Sequence, residues 1–242
     1  MKKLFGGINL TWTKIILFAI LSGVYTAIIS LIPNLTYTSF NTITTTFEVW
    51  ILFGILIIMN SKSPKDSALK CFIFFLISQP LVYLVQDAIT NSHLFITYYR
   101  FWILWTIACI PMGYIGYYMK KDKWWGYLIL FPILLMVLES YADYLSNFIF
   151  SYPYYLLITL FCALTMIIYP IYIFNNKKIR IVGTVISTLA IIVMTIVVFM
   201  NRPTYETVIL CSGEEYTITE DTNAYLEDDK YGTLNIKYDE GF

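Results

Sequence analysis

From Ile181 to Met200 the chain runs through an apolar stretch without a single charged side chain. A helix of that length is about 30 Å long, which matches the hydrocarbon core of a bilayer. Composition decides against burying it in a soluble globule. Hydrophobic residues make up 58% of the 242 and charged residues 13%. Ordinary soluble domains have roughly 45–50% and about 25%. A globule of this size has too little interior to hide so much apolar surface. The same figures exclude disordered, collagen-like and disulfide-rich secreted chains.

Seven stretches reach spanning length: 11–32, 44–60, 68–87, 98–119, 124–145, 153–174 and 181–200. They are read as helices because a spanning segment must satisfy its own backbone. The second is the weakest, since its apolar run covers only Val49 to Met59 and it must include Thr44, Thr45, Thr46 and Glu48 to be long enough. Lys and Arg set the direction. With the N-terminus inside, 12 of the 16 fall on the inner side: Lys2, Lys3, Lys14, Lys62, Lys65, Lys70, Lys120, Lys121, Lys123, Lys177, Lys178 and Arg180. The bias alternates across all seven spans, as the positive-inside rule requires. Tyr and Trp collect at both edges, with Trp12, Trp124 and Trp125 inside and Trp50, Tyr98 and Trp102 outside, as interfacial belts do. In the first span Ala19, Gly23 and Ala27 have the small-xxx-small spacing of a close helix seam. That span is too long for a signal-peptide core and is read as an uncleaved anchor.

The fold expected is an all-α membrane protein: a seven-transmembrane-helix bundle, N-terminus in and C-terminus out, over residues 1–200. A small extracytoplasmic β-rich tail follows over 201–242. The tail holds ten acids and three bases, a net of −7. Alternation in Glu215–Thr219 and Thr233–Tyr238, with a turn signal at Asp228–Gly232, predicts two to four short strands. It is too short to bury a core alone. It is expected to cover the outer mouth, to pair with a second copy, or to stay partly mobile, and residues 201–242 are the candidate surface for a protein partner. Asp221, Asn223 and Asp229 imitate a calcium loop, but Leu226 and Gly232 stand where the loop needs Gly and Glu, so no metal is expected. Cys211 has no partner on its own side, and His93 is alone in an outer loop.

Ionisable groups inside spans are costly and mark cavities or partners. Here the acids gather toward the outer ends: Glu48, Asp87, Glu139 and Asp143, with Arg100 nearby. Gln79, Tyr83, Gln86 and Asp87 follow i, i+4, i+7, i+8 and form one polar stripe. Pro80 frees backbone carbonyls beside it. Glu139 and Asp143 share a helix face. An outward-facing cavity lined by Gln79, Tyr83, Gln86, Asp87, Arg100, Glu139 and Asp143 is the candidate ligand-binding site, suited to a small polar, cationic or polyhydroxyl ligand. The competing reading is that the rim acids are merely solvated at the headgroup layer. No motif of hydrolases, metalloproteases or phosphate-binding loops is present, so no catalytic residue and no cofactor are expected. Nucleic acid is not an expected partner; membrane lipids are.

The runs Phe74–Pro80 (FFLISQP) and Ile110–Tyr118 (IPMGYIGYY) resemble those of uncharacterised polytopic membrane proteins of low-GC Gram-positive bacteria. The resemblance implies a bacterial plasma membrane and carries no functional residue. The function expected is binding, with translocation as its extension, of a small polar or cationic ligand. The alternative is a membrane-anchored sensor or interaction subunit whose outer tail recognises a partner.

Overall fold

The structure, a computed structural model, describes residues 4–35, 38–90, 94–150 and 155–201, and the backbone of 205–209, 215–219, 224–228 and 234–238. Lys2, Lys3, His93, Arg202, Cys211 and the turn at 229–233 lie outside the described residues. Two compact units form, Met1–Thr195 and Ile196–Phe242.

The first unit is helical throughout: α1 (Trp12–Ser30), α2 (Ser39–Thr45), α3 (Phe47–Met59), α4 (Pro64–Thr90), α5 (Leu94–Gly116), α6 (Trp124–Phe150), α7 (Leu156–Ile173) and the start of α8 (Lys177–Met200). Among the described residues, six helices are long and apolar enough to cross a membrane. A seventh span results if α2 and α3 count as one, bent by 49°. These helices make the chain a multi-pass membrane protein by length and composition.

The bend falls in the stretch the sequence made weakest. Thr46 sits at the break with extended backbone (φ −80°, ψ 159°). Threonine hydroxyls compete for helix backbone, and four of the residues from 42 to 46 are Thr. The Thr42, Thr44 and Thr45 hydroxyls all donate to carbonyls three or four residues back. The continuous helix expected over 44–60 is therefore a short helix, a break and a 13-residue helix.

Elsewhere the ends are set locally. Pro64 opens α4 where its missing N–H costs nothing. The Ser63 hydroxyl accepts from Asp66 N–H, and Asp66 accepts from Lys62 N–H and from Lys70 Nζ, both at 2.8 Å. Pro80, Pro111, Pro132 and Pro170 lie inside α4, α5, α6 and α7 without ending them.

The helices pack in two groups. In one, α4 lies against both α1 and α5; in the other, α6 lies against α7. The α2–α3 pair joins them, with α2 touching α1 and α7 and α3 touching α4 and α5. The Ala19–Gly23–Ala27 stripe is a seam within the bundle, with both alanines fully buried. A Cβ on Gly23 would stand 2.7 Å from the Ser78 carbonyl oxygen, so only glycine permits this approach of α1 to α4. Phe18, Trp50, Phe53, Phe74 and Phe75 interlock beside the seam, with ring centroids 4.9–6.1 Å apart. Helix α8 meets α6 through Tyr141, whose hydroxyl lies 2.8 Å from Thr195 Oγ1, while Leu189 and Val193 are exposed.

In the second unit the backbone pairs Tyr205–Ile209 with Glu215–Thr219, and Ala224–Asp228 with Leu234–Tyr238, both antiparallel.

Candidate functional site

Lys62 and Lys120, from two of the basic segments of the sequence, come together at one end of the helical unit. Phe5–Asn9, Met59–Lys62, Lys120, Tyr172, Ile173 and Asn175 surround one open pocket. Asn60 ties this end together, accepting from Ile8 N–H at 2.7 Å and donating to the Leu4 and Leu56 carbonyls. Lys120 Nζ donates to the Ser61 carbonyl at 2.7 Å and lies over the Tyr117 ring. Asp122 accepts from Asn175 N–H at 2.6 Å, bringing the α5–α6 and α7–α8 links together.

At the other end lies a cavity of about 230 Å³, walled by Thr26 of α1, Thr45 of α2, Trp50 of α3, Gln79, Val82, Tyr83 and Gln86 of α4, and Tyr98 and Trp102 of α5. Three candidate residues, Gln79, Tyr83 and Gln86, line it because their spacing keeps them on one face of α4. Their circumstances differ. Gln86 Nε2 donates to Ser30 Oγ at 2.6 Å, so it also ties α4 to α1. Tyr83 stacks on Tyr98 with centroids 5.9 Å apart. Gln79 is only 3% exposed, and its Nε2 has no hydrogen-bond partner. A buried amide left unpaired costs about 1–3 kcal/mol.

The other four candidates lie outside this lining. Asp87 is half-buried on α4; Arg100 is exposed on α5; Glu139 and Asp143 are exposed on α6. The expected single cavity between the helices carrying Gln79 and Glu139 is thus not what these residues build. The side walls come from α1, α2, α3 and α5 instead, and the described lining holds no carboxylate.

The sequence missed Thr26, Thr45, Trp50, Tyr98 and Trp102. The three aromatic residues carried a signal, but one that belt residues share. Thr26 donates to the Thr44 carbonyl at 3.2 Å, a contact no local pattern announces. Glu48, noted among the outer acids, is 4% exposed in the first turn of α3. Its Oε2 has no hydrogen-bond partner. The positive end of α3 favours an acid there.

Inward of Gln79 lies an apolar chamber of about 380 Å³ between α3, α4, α5 and α6. Trp50, Gln79 and Trp102 are walls of both spaces. Among the described residues, no group of His, Cys, Asp and Glu is placed to hold a metal ion. No protein family, curated protein or solved structure matches this chain.

Proposed function

We propose that this chain is a seven-span protein of a bacterial plasma membrane, N-terminus in and C-terminus out, that binds a small polar ligand in the cavity beside Gln79. The meeting of Lys62 and Lys120 at one end supports the topology, since the positive-inside rule places that end in the cytoplasm. The cavity then opens on the outer side. The bent α2–α3 pair serves as the second span, and the acidic tail is a small β-structured element on the outer side of the membrane.

The observation that carries the binding reading is the buried, unpartnered Gln79 amide in the cavity wall. A polar group held without a partner at membrane depth marks a place where a ligand supplies one. The lining offers donors and acceptors from Thr26, Thr45 and Gln86, and the faces of Trp50, Tyr83, Tyr98 and Trp102. Such a wall suits a hydroxyl-rich group, or a cation held by ring faces. Binding is favoured over translocation. Below Gln79 the chamber wall adds only Thr106 as a hydroxyl, so a polar solute finds no path inward. That favours the sensor role among the two expected, with no catalytic step.

The test is thermal unfolding of the full chain in phosphatidylcholine nanodiscs against a panel of polyols, quaternary amines and small amides. At least one class should raise the melting temperature in proportion to the logarithm of its concentration. Gln79→Leu should abolish the rise. A panel that stabilises wild type and Gln79→Leu equally would refute the reading.

A further inference from the structure

The polar cavity and the apolar chamber are adjacent spaces of different character. They share Trp50, Gln79 and Trp102 as walls, so Gln79 borders both. Above it the walls carry hydroxyls and an amide. Below it they are almost wholly apolar. At roughly 30 Å³ for each water-sized group, the lower chamber has room for about a dozen such groups. Water is a poor occupant, because a buried water needs two to four polar partners. The chamber's residues include Gln79 and Thr106, which is 1% exposed and whose hydroxyl is also without a partner, and otherwise only the donors of three indoles and two thiols, at Trp50, Trp102, Trp105, Cys71 and Cys109.

The chamber is reached from the side. Met112 and Ile115 of α5 and Met136 of α6 line it, yet are 53%, 52% and 40% exposed. In a bilayer that exposure is to lipid. Helices α5 and α6 touch far less than α4 and α5 do, so the seam between the two helix groups runs along this side. Two methionines in such a wall adapt to the shape that enters.

We infer that the ligand is a single-chain amphiphile taken from the bilayer, its polar head bonded to Gln79 in the outer cavity and its chain in the chamber between α3, α4, α5 and α6. This rests on the ligand-binding reading above. Lipid tails are as apolar as the chamber wall, so the chain is not drawn in by the hydrophobic effect. The head selects, by satisfying the Gln79 amide; the chain fills space whose walls otherwise lack neighbours on one side. Neither compartment alone accounts for an orphan amide at the junction of a polar and an apolar void.

Gly54 supplies the means to block the chain. It lines the chamber, and a Cβ there would meet only Phe75, at an ordinary 3.9 Å. A leucine at that position projects into the chamber. The experiment uses the full chain in phosphatidylcholine nanodiscs with a palmitoyl monoglyceride bearing a diazirine near its chain end. A diacyl phosphatidylcholine with the same diazirine reports bulk lipid contact. After irradiation, mass spectrometry maps the labelled residues. The monoglyceride should label the chamber segments 105–119 and 129–136 at least tenfold above the phospholipid. Gly54→Leu should lower that labelling at least tenfold, and Ile133→Phe, filling the opposite wall, should do the same. Gly54→Ala should retain it. Gln79→Leu should lower it about fivefold, the loss of one net hydrogen bond. Labelling that falls with Gln79→Leu but not with Gly54→Leu or Ile133→Phe would leave the polar site standing and overturn the seated chain. Labelling indifferent to all variants, or equal for the two probes, would overturn the amphiphile, while the polar site itself is refuted only by the melting test above.

Discussion

Replacing Gln79 by methionine should make the unliganded protein more stable, which is the reverse of what most buried substitutions do. The structure sets the size. Gln79 is 3% exposed with its Nε2 unpartnered, a state costing about 1–3 kcal/mol. Methionine is close in length and volume, and such swaps cost less than about 1.5 kcal/mol. The net expected is a gain of about 1–2 kcal/mol. For a chain of this size that corresponds to a rise of about 2–8 °C in melting temperature. The assay is tryptophan fluorescence during heating in phosphatidylcholine nanodiscs, with no ligand added. Gln86 is the internal comparison, about two turns away on the same helix face. Its Nε2 donates to Ser30 Oγ at 2.6 Å, so Gln86→Met should lose about 1 kcal/mol and lower the melting temperature. Opposite signs from two glutamines of one stripe would separate a binding amide from a structural one. A fall on Gln79→Met comparable to that of Gln86→Met would mean that the Gln79 amide is bonded at rest, and the binding reading would lose its support.

Gly23→Ala should destabilise by about 1–3 kcal/mol, because its Cβ meets the Ser78 carbonyl at 2.7 Å, whereas Gly54→Ala, with room to spare, should be neutral or stabilising; melting temperatures decide both. Asp122 has φ 48° and holds the Asn175 and Asn176 N–H groups. Asp122→Gly should lose only those bonds, about 1–2 kcal/mol, while Asp122→Ala adds the left-handed backbone cost of about 1–2 kcal/mol, so alanine should melt lower than glycine. For topology, a membrane-impermeant maleimide added to intact cells should label the native Cys211 and miss Lys120→Cys; the converse pattern would reverse the orientation.

Two levels of information are separable in this chain. Apolar length and the absence of charge determined that segments such as 181–200 are helices long enough to span a bilayer, since a backbone in hydrocarbon has no other means of bonding itself. Spacing determined that Gln79, Tyr83 and Gln86 share one face of α4, and that Ala19, Gly23 and Ala27 form a seam, because a helix places such residues together whatever surrounds it. Which helix stands opposite a face is another matter. Glu139 and Asp143 share a face just as surely, yet that face is exposed, and Thr26, Thr45, Trp50 and Trp102 close the cavity instead. Partner choice depends on side-chain shape across helices distant in sequence, as when Gly23 admits Ser78 or Ser39 of α2 accepts from Leu157 and Ile158 N–H at the start of α7. In lipid that choice matters more than in water, because hydrophobicity no longer tells one helix neighbour from another and packing alone decides.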